Sequence, residues 1–177
     1  MLPDIHVWEK LVCMGVLDWL LEKKASGQIR RIGFSYHGNT QQFMELLDAF
    51  DWDFCQVQYN YMDENSQAGR TGVEYAAKKG IPVIIMEPLR GGRLVNDLPP
   101  KAREMIRKTS PQRSPAEWAF RWLWNQSAVS VVLSGMNSME MLKENIRIAE
   151  TVKIKQLTKK DEIFYKKIRR AINEKVK

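Results

Sequence analysis

The chain has 177 residues, 44% hydrophobic and 10% aromatic, enough apolar surface for one globular unit with a core. No apolar run approaches a membrane span, and the opening MLPDIHVWEK lacks the basic end and apolar core of a signal peptide, so no membrane partner and a cytoplasmic location are expected. Cys13 and Cys55 are too few and too scattered for a disulfide framework or a metal site. The formal charge of +7 is confined to residues 153–177, with ten basic and three acidic side chains; residues 1–152 are balanced. Without an aromatic-interleaved basic groove, this tail reads as a solvated helix face and not a nucleic-acid contact.

Along the chain, short apolar runs alternate with stretches of helical period. Residues 7–24 carry a helical stripe (Leu11, Val12, Val16, Leu17, Leu20, Leu21) ending near Gly27. IRRIGFS (29–35) is a predicted strand, TQQFMELLDAF (40–50) a helix, FCQVQY (54–59) a strand, and 66–79 a helix stopped by Gly80. PVIIM (82–86) is the clearest buried strand. A looser region follows to about Pro111, with a weak helix over 101–108. Ser114-Pro115-Ala116-Glu117 starts a helix, with an N-cap, proline at the first position and Glu at the third. That helix carries Trp118, Phe120, Trp122 and Trp124, expected as core. Residues 129–133 form a fourth strand; Asn137 with Glu140 predicts the cap of a helix to about Glu150, and a basic helix from Thr158 reaches the end. The order α–(βα)×4 plus a terminal helix predicts an α/β fold with a parallel sheet, its strands buried on both faces. An open doubly wound sheet and part of a barrel both fit.

Ligands of parallel sheets bind at the C-terminal strand ends. Those ends read SYHG (35–38), QVQYNY (56–61), MEPLRGG (86–92) and SGMN (134–137), a rim rich in polar residues and glycine, with Tyr36, Tyr59 and Tyr61 near it. His37 is the general acid/base by residue type, although a loop-packing histidine is the commoner outcome. Gln56 and Gln58 alternate on one strand, so one amide faces inward and needs a partner, which a ligand or a neighbouring side chain would each provide. Leu89-Arg90-Gly91-Gly92 allows close backbone approach. The strand–SGMN–helix unit aims unpaired N–H groups at one spot, which suits an anion.

The segments GVLDWLLEKKASGQIRRIGFSYHG (15–38), DWDFCQVQYNYMDENSQAGRTGVEYAAKKGIPVIIMEPLRGGRL (51–94), SPAEWAFRWLWNQ (114–126) and VVLSGMNSMEMLKENI (131–146) together resemble the aldo/keto reductase family, closest to its iron–sulfur-associated bacterial and archaeal branch. The resemblance implies a (β/α)₈ TIM barrel that reduces aldehydes or ketones with a nicotinamide cofactor, NADP(H) in preference to NAD(H). Ser35 and Gln56 match the residues holding the nicotinamide carboxamide, with Tyr36 where many members carry Asn. Met86 falls where the family stacks a residue, often Tyr, on the nicotinamide ring. Pro88, Leu89, Arg90 and Gly91 match the loop along the pyrophosphate. Ser134, Gly135 and Asn137 match the segment receiving the adenosine end, with Glu144 and Asn145 at the adenine positions. No Lys or Arg stands in that turn, so backbone N–H groups and the helix dipole would hold the phosphate.

The resemblance also implies an incomplete barrel: four βα units, the family's strands five to eight, over residues 1–152, then a basic helical extension over 153–177. The family's catalytic Asp, Tyr, Lys and His come from earlier strands, so no catalytic residue is assigned and the 177 residues alone are expected to be inactive. No iron–sulfur ligands are expected. Open edges at both ends of such a sheet predict a homo-oligomer or a complementary fragment as partner. The alternative is an inactive nucleotide-binding or structural half-barrel.

Overall fold

The structure is a computed structural model describing residues 1–174. Its four strands form one sheet in chain order: β1 (Gly33–Tyr36), β2 (Phe54–Gln58), β3 (Val83–Met86) and β4 (Val129–Val132). β1 and β2 pair in parallel with Ser35 opposite Gln56, and β2 and β3 in parallel with Gln56 opposite Ile84 and Gln58 opposite Met86. Around them, among the described residues, run nine helices: α1 (Ile5–Cys13), α2 (Val16–Ala25), α3 (Thr40–Asp48), α4 (Gly69–Lys78), α5 (Arg93–Asn96), α6 (Pro100–Arg107), α7 (Pro115–Trp124), α8 (Met139–Thr151) and α9 (Lys159–Asn173). Parallel neighbours joined by helical crossovers are the arrangement that alternating strands and helices predict.

The chain divides into two compact units. One comprises Met1–Tyr59, Asp63–Met86 and Ala128–Val131; the other comprises Asn60–Met62, Glu87–Ser127 and the chain from Val132 onward. In the first unit, α3 and α4 cover one face of the sheet. Phe34, Tyr36, Cys55, Val57, Val83 and Ile85 are buried there with Phe43, Leu46, Leu47, Val73 and Ala76. Phe43 lies against Phe34 and Tyr36, and Trp52 joins Trp8 to Phe34 with ring centroids 4.8 and 4.6 Å apart. The Trp52 indole N–H donates to the Leu46 carbonyl at 2.7 Å, which satisfies its polar atom inside the core.

The opposite face corrects the expectation of strands buried on both sides. Gly33 and Ser35 on β1, Phe54, Gln56 and Gln58 on β2, and Ile84 and Met86 on β3 alternate with the buried positions and are only half-buried. The apolar runs suggested two covered faces, but four of these seven positions are Gly33, Ser35, Gln56 and Gln58, and a groove with Leu11 of α1 and Val16 and Leu20 of α2 among its walls is left over Gly33, Ser35, Phe54 and Gln56.

Two helix boundaries also differ from expectation. The stripe over 7–24 is two helices, because Gly15 takes a left-handed φ of 81° and the Met14 and Gly15 N–H groups close α1 onto the Lys10 and Val12 carbonyls. The cap of α8 is Ser138, not Asn137: its hydroxyl accepts from the Met141 N–H at 3.2 Å, so Glu140 falls in the first turn and not at the reciprocal position.

In the second unit, Ala116 and Phe120 of α7 and Ile148 of α8 form a buried cluster, with Leu89, Val95 and Val132 packed against it. Glu117 ties the two helices together. Burial pushes its carboxyl pKa up, but hydrogen bonds from Arg121 (2.8 Å) and Arg147 (3.1 Å) outweigh this and hold it below the usual range. Trp118, Phe120 and Trp122 are buried, as the aromatic spacing predicts. α9 begins with a Thr158–Asp161 capping box and buries Tyr165, Ile168 and Ala171. Lys159, Lys160, Lys166, Lys167 and Arg170 are exposed on its other side, the solvated face the charge pattern indicates. The expected extension of this helix to the chain end falls partly at 175–177, outside the described residues.

Candidate functional site

Ser35, Gln56 and Met86 come together on the half-buried sheet face. The β1–β2 register puts Ser35 beside Gln56, and the Gln56 amide nitrogen lies 3.4 Å from the Met86 sulfur. A thioether is a weak acceptor, so the Gln56 NH₂ retains donor capacity. Its carbonyl oxygen has no hydrogen-bond partner among the described residues. This amide can therefore offer a donor and an acceptor side by side, the pattern that a carboxamide or another planar amide complements.

Two residues along, Gln58 is fixed by neighbours. Its oxygen accepts from Gln67 Nε2 at 2.7 Å and its nitrogen donates to Asp63 at 3.3 Å. Gln67 has a left-handed φ of 57°, and its carbonyl accepts from the Thr40 hydroxyl at 2.9 Å. Gln56 and Gln58 lie two residues apart and share one face of β2, which corrects the expectation that only one of them faces inward; what separates them is that Gln58 has its partners within the protein, and Gln56 is the one open to a ligand.

Tyr36, Tyr59 and Tyr61, which the sequence places near the rim, are buried. Tyr36 donates to the Asn39 carbonyl at 2.9 Å, and burial, reinforced by the charges of Asp4 and Glu45, raises its pKa. Burial also drives the Tyr61 and Tyr165 phenols well above their ordinary value, and a hydrogen bond to Asp48 raises Tyr75. A tyrosine acting as an acid needs an accessible hydroxyl and a pKa moved toward neutrality; these four are moved the other way. His37 is exposed on the loop after β1. The Cys55 thiol is buried and pushed up to about 12 by desolvation, so it is not a nucleophile.

The loop after β3 belongs to the second unit. Glu87 and Arg90 have left-handed φ values of 52°, followed by Gly91 at 63° and Gly92 at 85°. Left-handed conformations at non-glycine residues cost energy and persist where surrounding contacts over-determine them. Asn60 provides such a contact: it is fully buried, donates to the Glu87 carbonyl at 3.3 Å and accepts from the Met62 N–H at 3.0 Å. The Arg90 N–H closes onto the same Glu87 carbonyl at 3.0 Å. Pro88 is buried and Leu89 packs into the α7–α8 cluster, which leaves the backbone around Arg90 and Gly91 as the presented surface. Sequence reasoning missed Asn60; the signal was an Asn in an apolar stretch at a strand end, where a buried amide must be bonded.

In the adenosine-end segment, residues 133–137 run without regular structure from β4 to α8. Asn145 donates to the Ser134 hydroxyl at 3.0 Å, bringing these two expected residues together. Gly135 and Asn137 are exposed, and Glu144 is half-buried. At the start of α8, the Glu140 carboxylate accepts from its own backbone N–H and bonds the Ser138 side chain, which together hold its pKa below the usual range. A negative group thus already occupies the positive end of this helix, and a phosphate placed there would share it with Glu140.

Among the described residues, no three His, Cys, Asp or Glu side chains are grouped to hold a metal ion, and no helix is long and apolar enough to cross a membrane. No curated protein matches the chain. Among solved structures, a holo aldo-keto reductase from Bacillus halodurans is 21% identical with a TM-score of 0.66, the match covering 83% of this chain and 52% of that one. An aldo-keto reductase from Klebsiella pneumoniae in complex with NADPH is 19% identical with a TM-score of 0.66, covering 86% and 52%. At these identities the likeness is one of fold: an α/β chain with the strand order of part of a TIM barrel, spanning about half the length of the structures it matches. The aldo/keto reductase family model matches residues 4–163, nearly the whole chain, and the chain belongs to that family.

Proposed function

We propose that this chain contributes the nicotinamide-binding residues of an NAD(P)H-dependent oxidoreductase acting on aldehydes or ketones in the cytoplasm. The observation that carries the reading is the Gln56 amide, set beside Ser35 on a half-open sheet face with only a sulfur as partner for its NH₂. Ser35 and Gln56 orient the carboxamide, and Met86 gives the ring a thioether contact. The backbone of Pro88, Leu89, Arg90 and Gly91 runs along the pyrophosphate. Ser134, Gly135 and Asn137 receive the adenosine end, with Glu144 and Asn145 at adenine. Held by these residues, a reduced nicotinamide would supply hydride for reduction of a carbonyl carbon, with a proton required at the carbonyl oxygen.

No residue of this chain is assigned as that proton donor, in keeping with burial or raised pKa values of its tyrosines, and the 177 residues alone are proposed to be inactive. Residues 1–152 form the reductase part and 153–177 a helical extension. The half-buried sheet face and the edge of β1 favour completion by a second polypeptide, a second copy or a complementary fragment. NADP(H) is proposed over NAD(H) from the family resemblance; the Klebsiella neighbour is a complex with NADPH.

Titration with NADPH and NADH, followed by tryptophan fluorescence, tests the reading. Saturable binding, tighter for NADPH and weakened in Gln56→Leu, supports it. No binding at millimolar cofactor leaves the alternative of a structural half-barrel, and carbonyl-dependent NADPH oxidation by the pure chain refutes the claim of inactivity.

A further inference from the structure

A cleft of about 490 Å³ lies between α6 and the segment that leads into α7, wholly within the second unit. That volume is in the range of small-molecule sites. Pro100, Ile106 and Pro115 supply apolar wall, and Arg103, Arg107 and Arg113 line the same cleft. Arg103 and Arg107 are one turn apart on α6 and so share a face of the helix. Each guanidinium is held by the protein without being used up. Arg103 Nη2 donates to the Asn96 carbonyl at 3.2 Å, and Arg107 donates twice to Glu104, at 2.8 and 2.9 Å. Arg113 donates to Asp161 at 2.6 Å and lies 4.7 Å from the Trp118 ring centroid, which holds it over the ring. A guanidinium carries five N–H donors, so each of the three keeps several without a partner among the described residues. Lys108 also pairs with Glu104, at 3.1 Å. Four cations, Arg103, Arg107, Lys108 and Arg113, are thus grouped with two carboxylates, Glu104 and Asp161, an excess of two positive charges.

We infer that this cleft binds a small organic phosphate monoester. The charge excess selects the anion. A phosphate monoester carries a charge of about −1.5 to −2 at pH 7 and presents three acceptor oxygens, whereas a carboxylate carries a single charge and presents two. The spare guanidinium N–H groups suit those oxygens, because arginine meets phosphate through paired N–H donors in one plane. The proline and isoleucine walls call for an apolar body on the ester, which inorganic phosphate lacks. None of the lining residues belongs to the nicotinamide reading, so the inference is independent of it.

Calorimetric titration of the intact chain with phenyl phosphate at low salt tests it. One saturable site is expected, binding about tenfold tighter than inorganic phosphate. Arg103→Gln/Arg107→Gln is expected to weaken binding by about tenfold or more. Both side chains are exposed, so this variant should keep the wild-type melting curve. Lys10→Gln/Lys78→Gln, which removes the same charge from exposed positions of the first unit, should leave binding unchanged. Absence of saturable binding overturns the inference, as does equal affinity for inorganic phosphate or equal weakening in the two double variants. Displacement of phenyl phosphate by NADPH also overturns it, because that would put the phosphate in the cofactor site. Failure of NADPH to bind while phenyl phosphate does would count against the nicotinamide reading alone.

Discussion

Gly72 sits in the middle of α4, where glycine ordinarily costs helix stability, so Gly72→Ala would be expected to gain about 1 kcal/mol from propensity alone. The packing opposes this. An alanine Cβ built at Gly72 would lie 2.7 Å from Phe43 Cδ1 and 3.2 Å from the Ala68 Cβ. Phe43 cannot move aside cheaply, because it is fully buried with ring centroids 5.9 Å from Phe34 and 5.3 Å from Tyr36. Overpacking of this kind costs about 1–3 kcal/mol, so the net expectation is a loss of about 1 kcal/mol, a fall of roughly 2–4 °C in Tm for a chain of this size. Thermal melts by circular dichroism, with urea midpoints as a second measure, read the change directly. In a Phe43→Leu background the clash is relieved and Gly72→Ala should become neutral or stabilising, a positive coupling between neighbours. A higher Tm for Gly72→Ala alone, or the same effect in both backgrounds, would refute the packing argument.

Three further outcomes are expected. Asn60→Leu removes the amide that bonds Glu87 and Met62; it should cost about 1–3 kcal/mol by leaving buried backbone groups short of a partner, and denaturant titration checks this. Glu140→Gln removes the carboxylate from the start of α8 and should tighten NADPH binding by about two- to fivefold, measured by fluorescence titration; unchanged or weaker binding argues against a phosphate at that helix end. Asp53 accepts from Lys24 (2.6 Å), the Ile32 N–H (2.7 Å) and Arg31 (3.1 Å), with its pKa lowered to about 2. Because the folded value lies below the unfolded one, of about 3.9, its contribution is present above pH 4 and lost as pH falls toward 2. Asp53→Asn should lower Tm at pH 7 and flatten its decline between pH 4 and 2.

Much of the architecture was legible in the residues. PVIIM, the Ser114-Pro115 start and the Trp118–Trp124 spacing each carry local signals that tertiary packing reinforces. The extent of the α1–α2 region was not, because helical period runs through Gly15 and only its positive φ separates two helices from one. The α8 cap was misplaced by one residue, since Asn137 and Ser138 are both good caps and the choice depends on how 133–137 leave β4. At the candidate site, residue type identified Gln56 and Gln58 together. Only the hydrogen bonds to Gln67 and Asp63 distinguish the satisfied amide from the open one. Burial of Tyr36, Tyr59 and Tyr61 is equally nonlocal, as it depends on which helices fold over the strand ends.

Asn60–Met62 belong to one compact unit while Tyr59 and Asp63 on either side belong to the other. Neither unit is therefore a continuous stretch that one cleavage can release. A fragment beginning at Glu87 would leave behind the Asn60 amide that bonds the Glu87 carbonyl and the Tyr61 ring, whose centroid lies 5.8 Å from that of Tyr165. Dissecting the protein into independently expressed pieces thus calls for circular permutation or co-expression that restores these three residues, and gene fusions are better placed at the termini than between the units.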